Sequence, residues 1–149
     1  MKTNIRGGIF HLTKYVLFFF IILVQSCTST SVMRLEGNDF KENLSGRWDG
    51  KWTYGAGHSD IEWIKIIKID GNKVHLTGYQ GGGGSGQGAD EVYGRIENST
   101  LLLTWADAVD APCKEELVMI RNDSNSLILD GPLKCRGGWN AKVRLKKTE

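Results

Sequence analysis

The residues best suited to acid–base chemistry are a histidine and an aspartate that lie close together in the chain. His58 and Asp60 are two residues apart, directly after residues 54–57. A carboxylate near an imidazole can support it as a general base. The chain has no nucleophile elbow, no paired metal motif and no second histidine at helical spacing. We therefore expect no enzymatic activity and assign no catalytic residue.

A second group of charged residues raises the question of calcium binding. Asp107, Asp110, Glu115 and Glu116 surround Cys113. Carboxylates can hold calcium together with loop carbonyls, but this spacing matches no EF-hand loop. We expect a solvated acidic loop here and no metal site.

Residues 81–88 form a glycine-rich segment with a formal G-x-G-x-x-G pattern at Gly81, Gly83 and Gly86. A dinucleotide site needs a helix N-terminus directly after such a loop. Residues 90–93 are instead predicted to begin a strand. We expect a flexible hairpin loop that can act as a lid over a barrel mouth, and no cofactor.

The first 26 residues have the features of a secretory leader. Lys2, Arg6 and Lys14 make it basic, and Tyr15–Val24 is an apolar run of ten residues. A membrane-spanning helix needs about twenty apolar residues, so this run fits the apolar region of a signal peptide instead.

The end of the leader, Val24-Gln25-Ser26-Cys27, resembles the lipobox of bacterial lipoproteins. The resemblance implies that residues 1–26 are removed and that Cys27 carries a lipid holding the chain to a membrane of the cell envelope. Thr28 stands where inner-membrane lipoproteins of enteric bacteria have Asp, which favours the outer membrane. The alternative is an ordinary secretory signal cut near Ser26 or Ser31.

The length of the remaining chain indicates a single domain. Removing residues 1–26 leaves 123 residues, enough for a single core. The leader holds three of the 19 Lys and Arg and none of the 17 Asp and Glu, so the remaining net charge is −1. This balance gives no argument for nucleic acid. We predict a signal peptide at 1–26, a lipidated cysteine and flexible tether at 27–43, and one domain at 44–149.

Cys113 and Cys135 remain once Cys27 is assigned to the lipid. In an oxidising compartment such a pair is expected to form a disulfide. Zinc would need more ligands at recognised spacing than these cysteines, His58 and His75 supply.

From Leu44 onward the chain consists of short runs rich in Val, Ile, Leu, Trp and Tyr, separated by Gly, Asn and Asp. No run has a convincing helical stripe, and many short strands with turn signals indicate a sandwich or a barrel. We predict eight strands, at residues 46–54, 60–69, 73–79, 91–97, 100–106, 116–121, 126–135 and 139–146.

Two of these strands carry particular expectations. Residues 60–69 have apolar residues on both faces, so this strand is either buried on both sides or has an outer face that meets something; a short helix is the alternative. A turn near Asp123-Ser124 puts Cys113 and Cys135 one position out of register. A bulge at Gly131-Pro132 would remove that offset.

Eight antiparallel strands are enough to close a small up-and-down barrel. Gly46-Arg47-Trp48 resembles the Gly-x-Trp that opens the first strand of the lipocalin and avidin-like group. The resemblance implies an all-β barrel whose closed end is plugged by Trp48, with Arg144 as the arginine that covers it. It implies no particular ligand.

The aromatic residues have two interpretations. Large side chains fill the core of a small barrel, or they line a site for a sugar or an apolar small molecule. The candidate ligand-binding residues are Trp52, Tyr54, Trp63, Tyr79, Tyr93 and Trp105.

The leading functional hypothesis is a lipid-anchored envelope protein whose barrel binds a small molecule or glycan. The alternative is a protein–protein interaction module, an inhibitor or an envelope assembly factor, that uses its loops or its outer barrel face on an envelope protein.

Overall fold

Nine strands and one short helix make up the part of the chain that the computed structural model describes. That part comprises residues 32–55, 57–82, 88–106, 112–136, 138 and 140–149. The predicted signal peptide, Cys27 and Trp139 lie outside it. No helix among these residues is both long enough and apolar enough to cross a membrane.

All eight predicted strands are confirmed, each within three residues of its expected bounds. Two elements precede them, β1 (Met33–Arg34) and helix α1 (Gly37–Leu44). The eight strands are β2 (Gly46–Tyr54), β3 (His58–Asp70), β4 (Lys73–Gln80), β5 (Val92–Glu97), β6 (Thr100–Trp105), β7 (Cys113–Arg121), β8 (Leu127–Cys135) and β9 (Asn140–Lys147).

Strands β2 to β9 form a closed antiparallel barrel, as predicted. Each strand pairs with the next along the chain, and β9 returns to pair with β2. β1 adds two residues to the end of β7. Closure removes the unpaired edges that an open sheet would present.

Strand β3 carries apolar residues on both faces, and it contains a β-bulge. Ile66 pairs with Leu76 and Lys68 pairs with His75, which leaves Ile67 as an extra residue. Ile64 and Ile66 are buried in the core, whereas Ile61 and Ile67 are 61% and 64% exposed on the outer face. The strand is therefore apolar on both sides because its outer face carries isoleucines of its own.

The disulfide between Cys113 and Cys135 is confirmed. The bulge predicted at Gly131-Pro132 is wrong, because the pairs on either side of it keep one register and place the two cysteines directly opposite each other. A side chain at Gly131 would collide with the carbonyl oxygen of Glu116, so glycine permits close approach of the two strands.

Trp48 plugs one end of the barrel, but the predicted cover by Arg144 is wrong. The Trp48 ring is fully buried, and its Nε1 donates a hydrogen bond of 2.9 Å to the Leu44 carbonyl. The Lys147 ammonium lies 5.7 Å from the ring centroid and donates to the Asn43 carbonyl at 2.7 Å. Alternation along β9 turns Val143 and Leu145 inward, which leaves Arg144 on the outer face.

The predicted tether at 27–43 is too long, because residues 33–44 fold onto the barrel. Leu35, Phe40 and Leu44 are buried in the same core as Trp48. Phe40 and Leu44 are four residues apart and therefore share one helix face. The prediction of an irregular segment overlooked this spacing. The folded domain therefore includes these residues and extends N-terminal of residue 44.

Replacing Phe40 by Ala tests whether α1 is part of the domain. Because the ring is fully buried, Phe40→Ala should lower the free energy of unfolding in urea by about 3 to 5 kcal/mol. The exposed neighbour supplies the control, since Glu42→Ala should change it by less than about 0.5 kcal/mol. Equal effects of the two variants would show that the helix does not contribute to the core.

Candidate functional site

Among the described residues, three polar or charged side chains are buried inside the barrel. Glu62, Gln80 and Glu115 are 1%, 3% and 1% exposed, respectively. Removing a carboxyl group from water is costly unless it is neutralised or hydrogen-bonded. These three residues, which we call the buried polar trio, are therefore the main candidate for a functional site.

The strand pairing brings the trio together from three strands. Glu62 on β3 and Gln80 on β4 are paired directly, and Glu115 faces inward from β7. Gln80 Nε2 donates to Glu115 Oε1 at 2.8 Å and to Glu62 Oε2 at 3.2 Å. Trp105 Nε1 also donates to Glu115 Oε1, at 2.6 Å. One amide thus bridges both acids.

Burial keeps this pair of acids from ionising fully near neutral pH. Desolvation raises the pKa of Glu62 to about 7. Desolvation, followed by the negative charge of Glu62, raises the pKa of Glu115 well above its ordinary value. The pair therefore retains at least one proton near neutral pH.

The free oxygens of the pair indicate where that proton lies. Glu62 Oε1 and Glu115 Oε2 have no hydrogen-bond donor among the described residues. Glu115 Oε1 already accepts two N–H groups, so a proton on Oε2 can be donated to the Glu62 carboxylate. Because the pKa values of both acids are raised, we expect the two carboxyls to share one proton through these oxygens.

The trio lies at the end of the barrel that carries the glycine-rich segment. Gln80 exchanges two backbone hydrogen bonds with Ala89, of 2.7 and 2.8 Å, at the base of that segment. Trp52 Nε1 donates to the Gly81 carbonyl at 3.1 Å. Residues 83–87, the middle of the lid predicted at 81–88, are outside the described residues. α1 and Trp48 occupy the other end of the barrel.

The six predicted ligand-binding residues are distributed over both faces of the barrel. Trp52 and Trp105 are buried inside it. Tyr54 lies at the rim, with its ring centroid 5.9 Å from that of Trp52. Alternation places the other three, Trp63, Tyr79 and Tyr93, on the outer face. Of the six, Trp52 and Trp105 are therefore the ones that share the interior with the trio, and Trp105 bonds to it directly.

The other residues considered for chemistry are not brought together. The His58 ring stacks on Tyr54 with 5.6 Å between centroids, and Asp60 Oδ1 accepts the Ile61 N–H at 2.8 Å. No group of three or more His, Cys, Asp or Glu that could hold a metal occurs in the described ranges.

The expected solvated acidic loop is wrong for Glu115. That side chain is buried inside the barrel, while its neighbour Glu116 is exposed and lies 3.6 Å from Lys134. Asp107 and Asp110 are outside the described residues.

Sequence reasoning missed the trio, although alternation carried a signal for each member. Glu62 shares a strand face with Ile64 and Ile66, and Glu115 shares one with Leu117 and Met119. A charged residue in phase with buried residues on a strand indicates a carboxyl that points inward.

Comparisons with protein-family models, curated proteins and solved structures found no match to this chain.

The shared proton predicts that the protein loses stability as the pH rises. The folded pKa of Glu62, about 7, is above its ordinary value of 4.5, so the folded state binds more protons between these values. The Glu62 shift alone should lower the free energy of unfolding by roughly 3 kcal/mol from pH 5 to pH 8, and the raised pKa of Glu115 should lower it further. The isosteric double variant Glu62→Gln/Glu115→Gln should lose most of this dependence, as measured by urea unfolding at each pH.

Glu116→Gln is the matched control, because it removes a carboxyl that points outward from the same strand. It should keep the wild-type pH dependence. Carbon-13 NMR of the glutamate carboxyls checks the titration directly in the wild-type chain. A double variant with the wild-type dependence would contradict the shared proton.

Proposed function

We propose that this chain is a lipid-anchored protein of the bacterial cell envelope whose barrel binds a small molecule or glycan at its loop-bearing end. Cys27 is the anchor, the outer membrane is the location, and no catalysis is required. The single observation that supports ligand binding is the buried polar trio.

The trio is chemically suited to a ligand that donates hydrogen bonds. Even with one proton shared between them, the carboxyls of Glu62 and Glu115 can accept more hydrogen bonds than Gln80 and Trp105 donate. A hydroxyl or amine of a ligand can supply the missing donors. Trp52 and Trp105 are the aromatic residues that share the interior with the trio; both are buried, so a ligand must open the interior to contact them.

Folding alone does not account for the trio. Replacing buried ionisable groups by apolar residues of similar size is often neutral or stabilising. A barrel this small could fill the same space with Leu, Ile or Phe. Buried acids with raised pKa values cluster at functional sites, which favours a role in binding.

The proposed anchor is supported by the leader. The apolar run Tyr15–Val24 and the residues Val24 to Cys27 resemble a lipoprotein signal. A disulfide between Cys113 and Cys135 fits an oxidising compartment outside the cytoplasm.

The outer face of β3 favours a second candidate, the interaction module. Ile61 and Ile67 are both largely exposed there, and Trp63 lies between them under the Arg47 guanidinium, 4.4 Å from the ring centroid. Exposed apolar residues grouped on one strand are typical of a contact surface.

Native mass spectrometry of the protein purified from its own host tests the binding function. We expect an additional mass that disappears on denaturation and begins to identify the ligand. Glu62→Gln/Glu115→Gln should reduce the occupied fraction about tenfold or more, because the amides cannot accept hydrogen bonds as strongly as carboxylates. Glu116→Gln should keep the wild-type occupancy.

A bare polypeptide mass for the wild type would contradict the bound ligand. In that case, crosslinking in cells with and without Ile67→Asn would examine the interaction module. Loss of a specific crosslinked partner in the variant would support that second candidate.

Metabolic labelling with palmitate tests the anchor. The wild-type chain should incorporate the label and fractionate with the outer membrane. Cys27→Ala should incorporate none and leave the membrane fraction. A labelled Cys27→Ala chain would contradict the assignment of the lipid to Cys27.

A further inference from the structure

A groove of about 560 Å³ crosses the outside of the barrel over strands β3, β2, β9 and β8. We call it the outer groove. The lining residues that matter for binding are Lys51, Ile61, Ile128, Arg144 and Lys146. It is separate from the buried polar trio, because alternation turns these side chains away from the interior.

Strand register places the five side chains side by side. Lys51 pairs with both Ile61 and Arg144, on its two neighbouring strands. Lys146 pairs with Ile128 on β8. Directly paired residues of adjacent strands lie on the same face of a sheet. Three cations and two isoleucines are therefore adjacent on one surface.

The cations of the outer groove lack ion-pair partners of their own. Among the described residues, Lys51, Arg144 and Lys146 form no salt bridge. The carboxylates opposite Arg144 and Lys146 are Asp130 and Asp49, which are bonded to Lys142 at 3.2 Å and to Arg47 at 2.7 Å. The positive charge that remains favours an anionic ligand.

The two carboxylates in the groove are already engaged. Asp49 accepts hydrogen bonds of 2.7 to 3.0 Å from Arg47, which hold its pKa below the ordinary value. Asp60 accepts the backbone N–H of Ile61 at 2.8 Å. Each aspartate therefore already accepts hydrogen bonds from a group other than the three groove cations.

The apolar part of the groove fits a hydrocarbon segment. Ile61 forms one wall and is 61% exposed, whereas Ile128 is only 6% exposed although it lies on the outer face. Together with the cations, these residues form an amphipathic surface. Its chemical complement is an anionic head group joined to methylene groups.

The groove also lies close to the segment that leads to Cys27. Arg34 on β1 pairs with Ile120, and Ile120 pairs with Ile128, so β1 is two strand spacings, about 10 Å, from the groove. Residues 28–32 span at most about 18 Å when fully extended. If Cys27 is lipidated as proposed above, the groove is within reach of the same membrane.

From these observations we infer that the outer groove docks an anionic membrane phospholipid. The phosphate contacts Lys51, Arg144 and Lys146, and the methylenes nearest the head group pack on Ile61 and Ile128. This contact would hold one side of the barrel against the membrane, leaving the loop-bearing end accessible.

Vesicle co-sedimentation of the unlipidated chain from residue 28 onward tests the groove without the anchor. The compact unit of the structure spans Ser31–Glu149, so this chain retains the whole described domain. We expect binding to vesicles that contain phosphatidylglycerol and little binding to phosphatidylcholine alone. The binding should weaken as salt is raised, because salt screens the cations.

Two groove variants and one matched control complete the experiment. Arg144→Gln/Lys146→Gln should weaken binding by roughly tenfold or more, and Ile61→Asn should also weaken it. Lys73→Gln/Lys114→Gln removes the same charge from exposed positions outside the groove and should weaken it less than threefold. Thermal unfolding confirms that each variant is folded.

Equal binding to both kinds of vesicle, or equal weakening by the groove and control variants, would overturn the inference. Absence of binding to any vesicle would do the same. Because the chain carries no lipid and its interior is unchanged, these results are independent of the anchor and of the buried polar trio.

Discussion

The pairing of β9 with β2 closes the sheet, and closure requires every strand residue to point into a narrow interior or out to solvent. An eight-strand barrel is just wide enough for its own side chains. Large rings therefore fit only where a neighbour is small: a Cβ at Gly78 would lie 2.9 Å from Trp105 Cη2. Gly50 and Gly131 likewise permit close approach of neighbouring strands. The positions of the tryptophans and of the inward acids follow from this constraint.

The narrow interior also determines the chemistry of the buried polar trio. Water cannot solvate both Glu62 and Glu115, so their charge is limited by desolvation and their hydrogen bonds come from Gln80, Trp105 and a shared proton. The core could be wholly apolar, yet it contains these polar residues. Their presence favours binding of a hydrogen-bonding ligand. It also links the stability of the protein to pH within the range from about 5 to 8.

The same alternation of side chains along each strand determines the outer face of the barrel, where the side chains are exposed and not buried. Side chains that closure turns outward meet solvent or a partner, and on β3, β2 and β9 they combine exposed isoleucine with cations that lack ion pairs. The inside and the outside of the barrel are thus suited to different ligands. We propose a hydrogen-bonding small molecule for the acids inside the barrel and an anionic lipid for the cations on its outer face.

The sequence by itself determined the strands, the barrel class and the cysteine pair. Apolar alternation and turn residues such as Asp70-Gly71-Asn72 are local signals that can be recognised without knowledge of the fold. Only the tertiary structure decided that Lys147 rather than Arg144 covers Trp48, that α1 belongs to the core, and that Glu62, Gln80 and Glu115 meet. Those contacts join residues up to 104 positions apart in the chain, as from Asn43 to Lys147. Their geometry depends on how the sheet closes, which no local pattern records.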